Sequence, residues 1–307
     1  MTALGFCAKN TPMKTTTHFG SGAAPLVAAS VRVVGFFSLI ALLLPMQLFY
    51  NARKLDEPFF VAQLFYRLLL KVLGFRVRVH GVMTASVKRG APVLFVSNHT
   101  SYLDIPVLGA LIPAAFVAKA EVRDWPMIGF LSAVQNTVFI ERRSSRVSTQ
   151  RNYLRERLAA GQSLILFPEG TSTDGLTVLP FKSSLFSIVE DEKDDLAISV
   201  QPVSIACTEL DGLPITRSWR PFYAWYGDMT LISHLWNVFK FGHFTIDVTF
   251  HPPITAQDFP DRKVMALYCQ QQVAKGVEQS LAGRGLSISD TPRLSPPARD
   301  NLATARP

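Results

Sequence analysis

Cysteine is scarce in this chain. There are three in 307 residues, Cys7, Cys207 and Cys269. An odd number at wide spacing excludes a disulfide framework and a cysteine zinc site, and fits a reducing compartment. Cys207 and Cys269 read as small buried hydrophobes. No Gly-x-Ser-x-Gly elbow occurs, so the chain lacks the serine nucleophile of that kind of hydrolase. Basic zippers, zinc-finger spacings and RNP-like aromatic strands are also missing. A formal net charge of +8 therefore points to anionic membranes or anionic substrates rather than to nucleic acid. Residues 1–25 contain no acidic residue and no arginine, and are rich in Thr, Gly and Ala. They read as a flexible tail rather than an arginine-rich transit peptide. No internal repeat is evident.

Charge is absent from Val33 to Tyr50, between Arg32 and the Arg53-Lys54 pair. As a helix this run would span about 27 Å, against about 30 Å of hydrocarbon, and would either just cross a bilayer or lie in one leaflet. Asp56 then reads as the N-cap of a second helix, with Pro58 in its first turn and Gly74 beyond its end. In that helix Phe59, Phe60, Leu64, Leu68 and Val72 alternate with a polar stripe of Gln63, Arg67 and Lys71. The pattern predicts an interfacial amphipathic helix, with an ordinary surface helix packed on the domain as the alternative.

From residue 76 onward, apolar β-branched runs alternate with helical patterns. Strands are expected near 76–80, 92–97, 114–118, 137–141, 163–167, 199–206 and 245–250, and helices near 103–111, 124–135, 146–160, 183–190 and 261–281. The alternation predicts one α/β unit with a single, mostly parallel sheet flanked by helices. The arginines at 142, 143, 146, 151, 155 and 157 read mainly as a solvated face, some placed to meet lipid headgroups or an acidic acyl carrier. Glu190 to Asp195 forms an acidic loop without an assigned role. From Gly283 onward Pro, Ser and Arg dominate without periodicity, which predicts disorder.

Two of the expected strands deliver polar residues to their C-terminal ends, where open α/β sheets bind ligands. The first is followed by Asn98-His99-Thr100-Ser101-Tyr102-Leu103-Asp104, and the second runs into Phe167-Pro168-Glu169-Gly170-Thr171. A neutral imidazole can accept a proton near neutral pH, and a nearby carboxylate fixes its tautomer. A spacing of five does not suit one helix face, so His99 and Asp104 fit a turn that opens into a helix, with Thr100 or Ser101 as its cap.

These two motifs, followed in order by Phe139-Ile140-Glu141-Arg142 and Val200-Gln201-Pro202-Val203 around the second, resemble the glycerolipid acyltransferase family over roughly residues 30–255. The resemblance implies transfer of a fatty acyl group from acyl-coenzyme A or acyl-carrier protein to a lysolipid hydroxyl, without a covalent enzyme intermediate. It implies His99 as general base, Asp104 as its orienting acid, and Glu169 with Gly170 and Thr171 at the acceptor's glycerol portion. A structural acid bonding loop backbone is the other role open to Glu169. Lys119 and Arg142 match family residues that approach an acceptor phosphate. The family pattern places Arg where this chain has Ser172, and Lys182 could compensate. No metal or tightly held cofactor is implied.

The acceptor expected first is 1-acylglycerol-3-phosphate. Lyso-ornithine lipid is the alternative, because the bacterial branch that acylates it resembles this chain in Phe167 to Gly175 and in Trp225-Tyr226-Gly227-Asp228. A non-catalytic lipid-binding protein and a lipid hydrolase are the remaining rivals. The expected organisation is a tail at 1–25, a membrane-associated two-helix segment at 26–75, an acyltransferase domain at 76–282 facing the cytoplasm, and a tail at 283–307. In a bacterium this would place the protein at the inner membrane.

Overall fold

The structure is a computed structural model that describes residues 23–53, 59–84, 91–141, 147–190, 198–241 and 243–283. Residues 1–22 and 284–307 of the predicted tails, Asp56, Arg142, Arg143, Arg146 and most of the acidic loop lie outside the described residues; Ala23 to Pro25, expected in the first tail, are instead helical.

Eight strands form one sheet. They are β1 (Arg76–Gly81), β2 (Val93–Ser97), β3 (Ala115–Lys119), β4 (Val138–Ile140), β5 (Leu164–Leu166), β6 (Ser199–Leu210), β7 (Leu213–Pro214) and β8 (Phe244–Phe250). Their order is β1-β8-β6-β2-β5-β3-β4, with β7 paired to β6. Every pairing is parallel except β6 with β7 and β6 with β8. The expected sheet is thus present, and its strands fall within a residue or two of their expected positions apart from a longer β6.

The apolar runs are continuous because both faces of the sheet are covered. In β2, Val93 and Phe95 point into one core, and Leu94 and Val96 into the other. The first core is closed by α1 (Ala23–Arg53), α2 (Phe60–Leu73), α3 (Asp104–Leu111) and α6 (Leu231–Lys240). The second is closed by α5 (Val147–Ala159), a 3₁₀ turn at Ser183–Ile188 and α7 (Arg262–Leu281). Asp261 caps α7, accepting from the N–H groups of Lys263 and Val264. Cys207 and Cys269 are buried in the two cores, as expected for small hydrophobes.

Three helical expectations need correction. The helix placed at 124–135 is a 3₁₀ turn at Ala120–Asp124 followed by α4 (Ile128–Val134). Pro126 separates them, since proline lacks the N–H a continuing helix needs. The segment at 183–190 forms only the 3₁₀ turn, and α6 was not anticipated. The third correction concerns α2. Its residues Val61, Phe65, Leu69, Leu70 and Leu73 are buried within the protein, whereas in the expected apolar set Phe59, Leu64, Leu68 and Val72 are half-buried and Phe60 is exposed. Gly74 ends this helix at φ 76°, a left-handed conformation that costs glycine little, and Phe75 N–H closes back onto Leu70 O at 2.8 Å.

Helix α1 is long and apolar enough to cross a membrane, with a mean hydropathy of 2.3. One side of it nevertheless packs on the domain along most of its length. Arg32 Nη1 donates to Phe239 O at 2.8 Å near one end, and Asn51 Nδ2 donates to Val134 O at 2.8 Å near the other. The opposite side carries exposed Val27, Val31, Val34, Leu42 and Phe49. Apolar exposure is therefore concentrated on α1, not shared between α1 and α2.

The contact between α2 and α3 is close at Gly109. A methyl group there would run into the Tyr66 ring, whose hydroxyl is held by Gln135 Oε1. Gly109→Ala is expected to lower stability by about 1–3 kcal/mol through overpacking. Thermal unfolding of the purified protein measures this, and an unchanged midpoint would mean the ring can move aside freely.

Candidate active site

The polar groups gather where the parallel strands end. Asn98, the first residue after β2, is buried and locked to β6. Its Nδ2 donates to Ile205 O, and its Oδ1 accepts from Ile205 N–H, both at 2.9 Å. This pair fixes the direction in which the chain leaves the sheet, and hence where His99 sits.

The chain then turns into α3, and Asp104 opens that helix with no exposure to solvent. Its Oδ2 accepts from the backbone N–H groups of Thr100 at 2.7 Å and Ser101 at 2.9 Å, and lies 2.9 Å from His99 Nδ1. Its Oδ1 accepts from the Tyr223 hydroxyl at 2.9 Å. These backbone and hydroxyl groups all donate, so both carboxyl oxygens act as acceptors. An ionised carboxylate only accepts, so Nδ1 carries the imidazole proton and Nε2 keeps its lone pair. The ring lies on Phe167, with centroids 4.1 Å apart and planes at 19°, and its side chain is 21% exposed. The result is an oriented imidazole with one nitrogen free to take a proton.

The expected cap differs. Leu103 occupies the N-cap position of α3 without a side-chain bond, while Ser101 Oγ accepts from Leu103 N–H at 3.2 Å. The backbone turn and Asp104 itself replace a capping hydroxyl.

Glu169 follows β5 by three residues and is 4% exposed. Its Oε1 accepts from His99 N–H at 2.7 Å, and its Oε2 from Leu179 N–H at 2.8 Å. Both oxygens are therefore engaged by backbone, the structural role left open for this acid. Burial outweighs those two bonds and pushes its carboxyl up to about 7. Gly170 turns the chain at φ 69°, and Thr171 is exposed.

Three segments are knitted around His99. Thr173 N–H donates to His99 O, and Trp225 N–H to Thr100 O, both at 3.0 Å. Ser172 Oγ donates to Trp225 O at 2.5 Å. Ser172 is thus a strut between the Phe-Pro-Glu-Gly-Thr loop and the Trp-Tyr-Gly-Asp segment. Arg220, itself buried, braces the same loop by donating from Nη1 to Gly175 O at 3.3 Å.

The expected phosphate contacts are not gathered equally. Lys119 ends β3 at the same sheet edge and is half-buried. Lys182 is tied in through its backbone N–H, which donates to Pro168 O at 3.0 Å, but its side chain is exposed. Arg142 lies outside the described residues.

Tyr223 is the site residue that sequence reasoning missed. It sits 119 positions from Asp104, and no local pattern marks it. The only hint was its position two residues before the Trp-Tyr-Gly-Asp stretch.

Two apolar cavities lie behind the site. One is lined by Ile40, Leu43, Val61, Phe65 and Leu131, between α1, α2 and α4. The other includes Tyr66, Gly109, Ile112 and Phe116. Ala62 and Gln135 line both. Phe116 is stacked on Phe167 at 6.4 Å, and Phe167 carries His99, so the second cavity reaches the imidazole through two rings.

The protein-family model described as Acyltransferase matches residues 76–206. A lyso-ornithine lipid O-acyltransferase of Brucella abortus is 36% identical over 82% of this chain and 94% of its own length. A 1-acyl-sn-glycerol-3-phosphate acyltransferase of Neisseria gonorrhoeae is 34% identical over 55% of this chain and 63% of its own. The solved structure of the 1-acyl-sn-glycerophosphate (LPA) acyltransferase PlsC from Thermotoga maritima shares the fold, with a TM-score of 0.59 and 20% identity over 83% of this chain and 95% of that one.

Glu169→Gln tests the backbone brace. An amide nitrogen would confront an N–H donor on one side, and the variant should lose about 1–3 kcal/mol. The pH dependence has a definite sign. Between the ordinary value of 4.5 and about 7 the folded protein holds a proton on Glu169 that the unfolded chain has released. Stability from this group is greatest below pH 4.5, declines as pH rises to about 7 and is flat above. Buried His234 and His251, both lowered to about 4, slope the other way. The difference between wild-type and variant unfolding curves isolates Glu169, and a flat difference from pH 4.5 to 7 would refute the assignment.

Proposed function

This chain belongs to the acyltransferase family, and on that premise we propose that it transfers a fatty acyl group from a thioester to the hydroxyl of lyso-ornithine lipid. The observation that carries the acceptor is the reach of the likeness. The Brucella lyso-ornithine relative is matched over 94% of its length, the Neisseria glycerol-phosphate relative over 63%. Ser172 supports the same reading. It is a neutral strut bonded to Trp225 O, where a phosphate-binding loop would gain from a guanidinium. An ornithine headgroup carries an amine and a carboxylate and needs no phosphate site.

In this reading His99 Nε2 takes the proton of the acceptor hydroxyl as its oxygen attacks the thioester carbonyl carbon. The tetrahedral intermediate collapses, the carbon–sulfur bond breaks, and the leaving thiolate receives the proton from the imidazolium. The products are an ester and a free thiol. Asp104 stabilises the imidazolium and keeps its ring aligned. The donor is acyl-coenzyme A or acyl-carrier protein, and its chain enters on the apolar side of the site, beside Phe167 and Phe116. Glu169 positions His99 through its backbone. The protein works at a membrane, with α1 lying along the surface of one leaflet; its packing against α4 and α6 opposes a fully spanning arrangement.

The second reading, 1-acyl-sn-glycerol-3-phosphate as acceptor, draws on Lys119 at the same sheet edge. Product analysis with labelled acyl donor and both lyso-acceptors separates the two. Wild type should turn over lyso-ornithine lipid at a kcat/KM at least tenfold above that for the glycerol phosphate, and the reverse order would overturn the acceptor. His99→Ala should lose about 10²–10⁴-fold in kcat on the preferred acceptor while remaining folded. Near-wild-type turnover in that variant would defeat the mechanism.

A further inference from the structure

Helix α6 carries an apolar ridge that packing does not use. Ile232 is 83% exposed and Trp236 is 41% exposed. With Phe239 they stand at i, i+4 and i+7, one stripe of the helix. Phe239 is buried, and its ring meets Phe36 of α1 at 6.2 Å. Phe36 in turn meets Phe37, which is 53% exposed. The ridge therefore leads from Ile232 to the α1–α6 seam, where Arg32 bonds to Phe239 O, and on to the exposed side of α1. Lys240 lies 5.6 Å from the centre of the Trp236 ring. Neither α1 nor α6 contains an acidic residue, whereas Arg32, Arg53 and Lys240 are distributed along them.

We propose that α6 is a second bilayer-contacting helix, which inserts Ile232 and Trp236 into the same anionic leaflet that α1 occupies. The chemistry matches that surface. An indole beside an ammonium suits the headgroup boundary, and an isoleucine left mostly exposed gains by entering the acyl region. The opposite face of α6 reaches the active site. His234 is buried there, and its Nδ1 lies 2.9 Å from the Tyr102 hydroxyl. Tyr102 sits between His99 and Asp104 and packs edge-on to Trp225 at 5.9 Å. One ten-residue helix thus holds the leaflet on one side and the catalytic turn on the other. The acceptor would meet His99 at the leaflet surface instead of being drawn out into water.

This inference rests on the membrane part of the proposed function and is independent of which acceptor is used. The test is co-sedimentation of the full chain with vesicles of phosphatidylethanolamine and phosphatidylglycerol, comparing wild type with Ile232→Ser/Trp236→Ser. The double variant should partition at least tenfold more weakly, because two apolar side chains lose their burial. Ile232→Ser alone, at a position with little to unfold, should give several-fold weakening. Brominated acyl chains should quench a component of tryptophan emission that Trp236→Phe removes. Partition within twofold of wild type, with no Trp236-dependent quenching, would overturn the proposal while leaving α1 as the anchor. Absence of vesicle binding by wild type would instead overturn the membrane reading itself, and this proposal with it. A wild-type dimer in detergent that the double variant converts to monomer, without change in vesicle partition, would assign the ridge to a second copy and overturn the proposal.

Discussion

Everything at this sheet edge depends on burying one carboxyl group. Asp104 has no solvent to stabilise it, so its carboxylate relies on donors supplied by the fold. Two are backbone N–H groups of the turn that leaves β2, one is His99, and one is Tyr223. The turn can offer its amides only because Asn98 has already tied the chain to β6. Tyr223 can reach only because the segment from Arg220 to Trp225 is strapped to Thr100 and Gly175. The satisfied carboxylate in turn dictates the imidazole tautomer. Stability and chemistry are thus the same set of hydrogen bonds here, and loosening the fold would lose the orientation of His99.

The sheet was legible because its strands are buried on both faces. Such strands appear as continuous runs of apolar β-branched and aromatic residues, as in Val93 to Val96 and Leu164 to Leu166. The juxtaposition of His99 and Asp104 was legible too, since a local turn brings them together. Tyr223 was not, because its contact is made through tertiary structure across 119 positions. Helix α6 escaped notice for another reason. Leu231, Ile232, Leu235, Trp236, Val238 and Phe239 do fall on one side at helical spacing, but over only ten residues, a shorter stretch than a period of 3.6 needs to stand out. For α2 the amphipathic period was plain, but periodicity does not tell whether the apolar stripe meets protein or lipid. The structure buries Val61, Phe65, Leu69, Leu70 and Leu73 of α2 in protein, and the longer exposed apolar surface belongs to α1.

Glu169 illustrates a finer limit of sequence reading. A glutamate after a buried strand, beside a glycine, reads as a substrate ligand. Its geometry makes it a bridge between the two motifs, bonded to the amide of His99 on one side and of Leu179 on the other. Those bonds keep the loop after β5 against the turn after β2. An acid that spans two loops is costly to bury, which is why its carboxyl is pushed up toward neutrality. A neutral amide or an alanine could not accept from both N–H groups at once.

The site combines a dry interior with a wet mouth. Behind His99 the rings of Phe167 and Phe116 lead to apolar cavities bordered by α1, α2 and α4. In front, Thr171 and Lys182 are exposed. A long-chain thioester needs both environments, because its tail favours the first and its polar carrier the second. The proposed acceptor would make the same demand in reverse, with chains in the membrane and a hydroxyl that must reach the imidazole. The proposed placement of α1 and α6 against one leaflet would reconcile the two. In the proposed reaction the acyl tail would move from one apolar compartment to another, and only the ester linkage would pass the polar edge of the sheet. In that arrangement the N-terminal helix would be part of the site's solvent and not simply an address label, since its packed side borders a cavity and its open side carries exposed apolar residues.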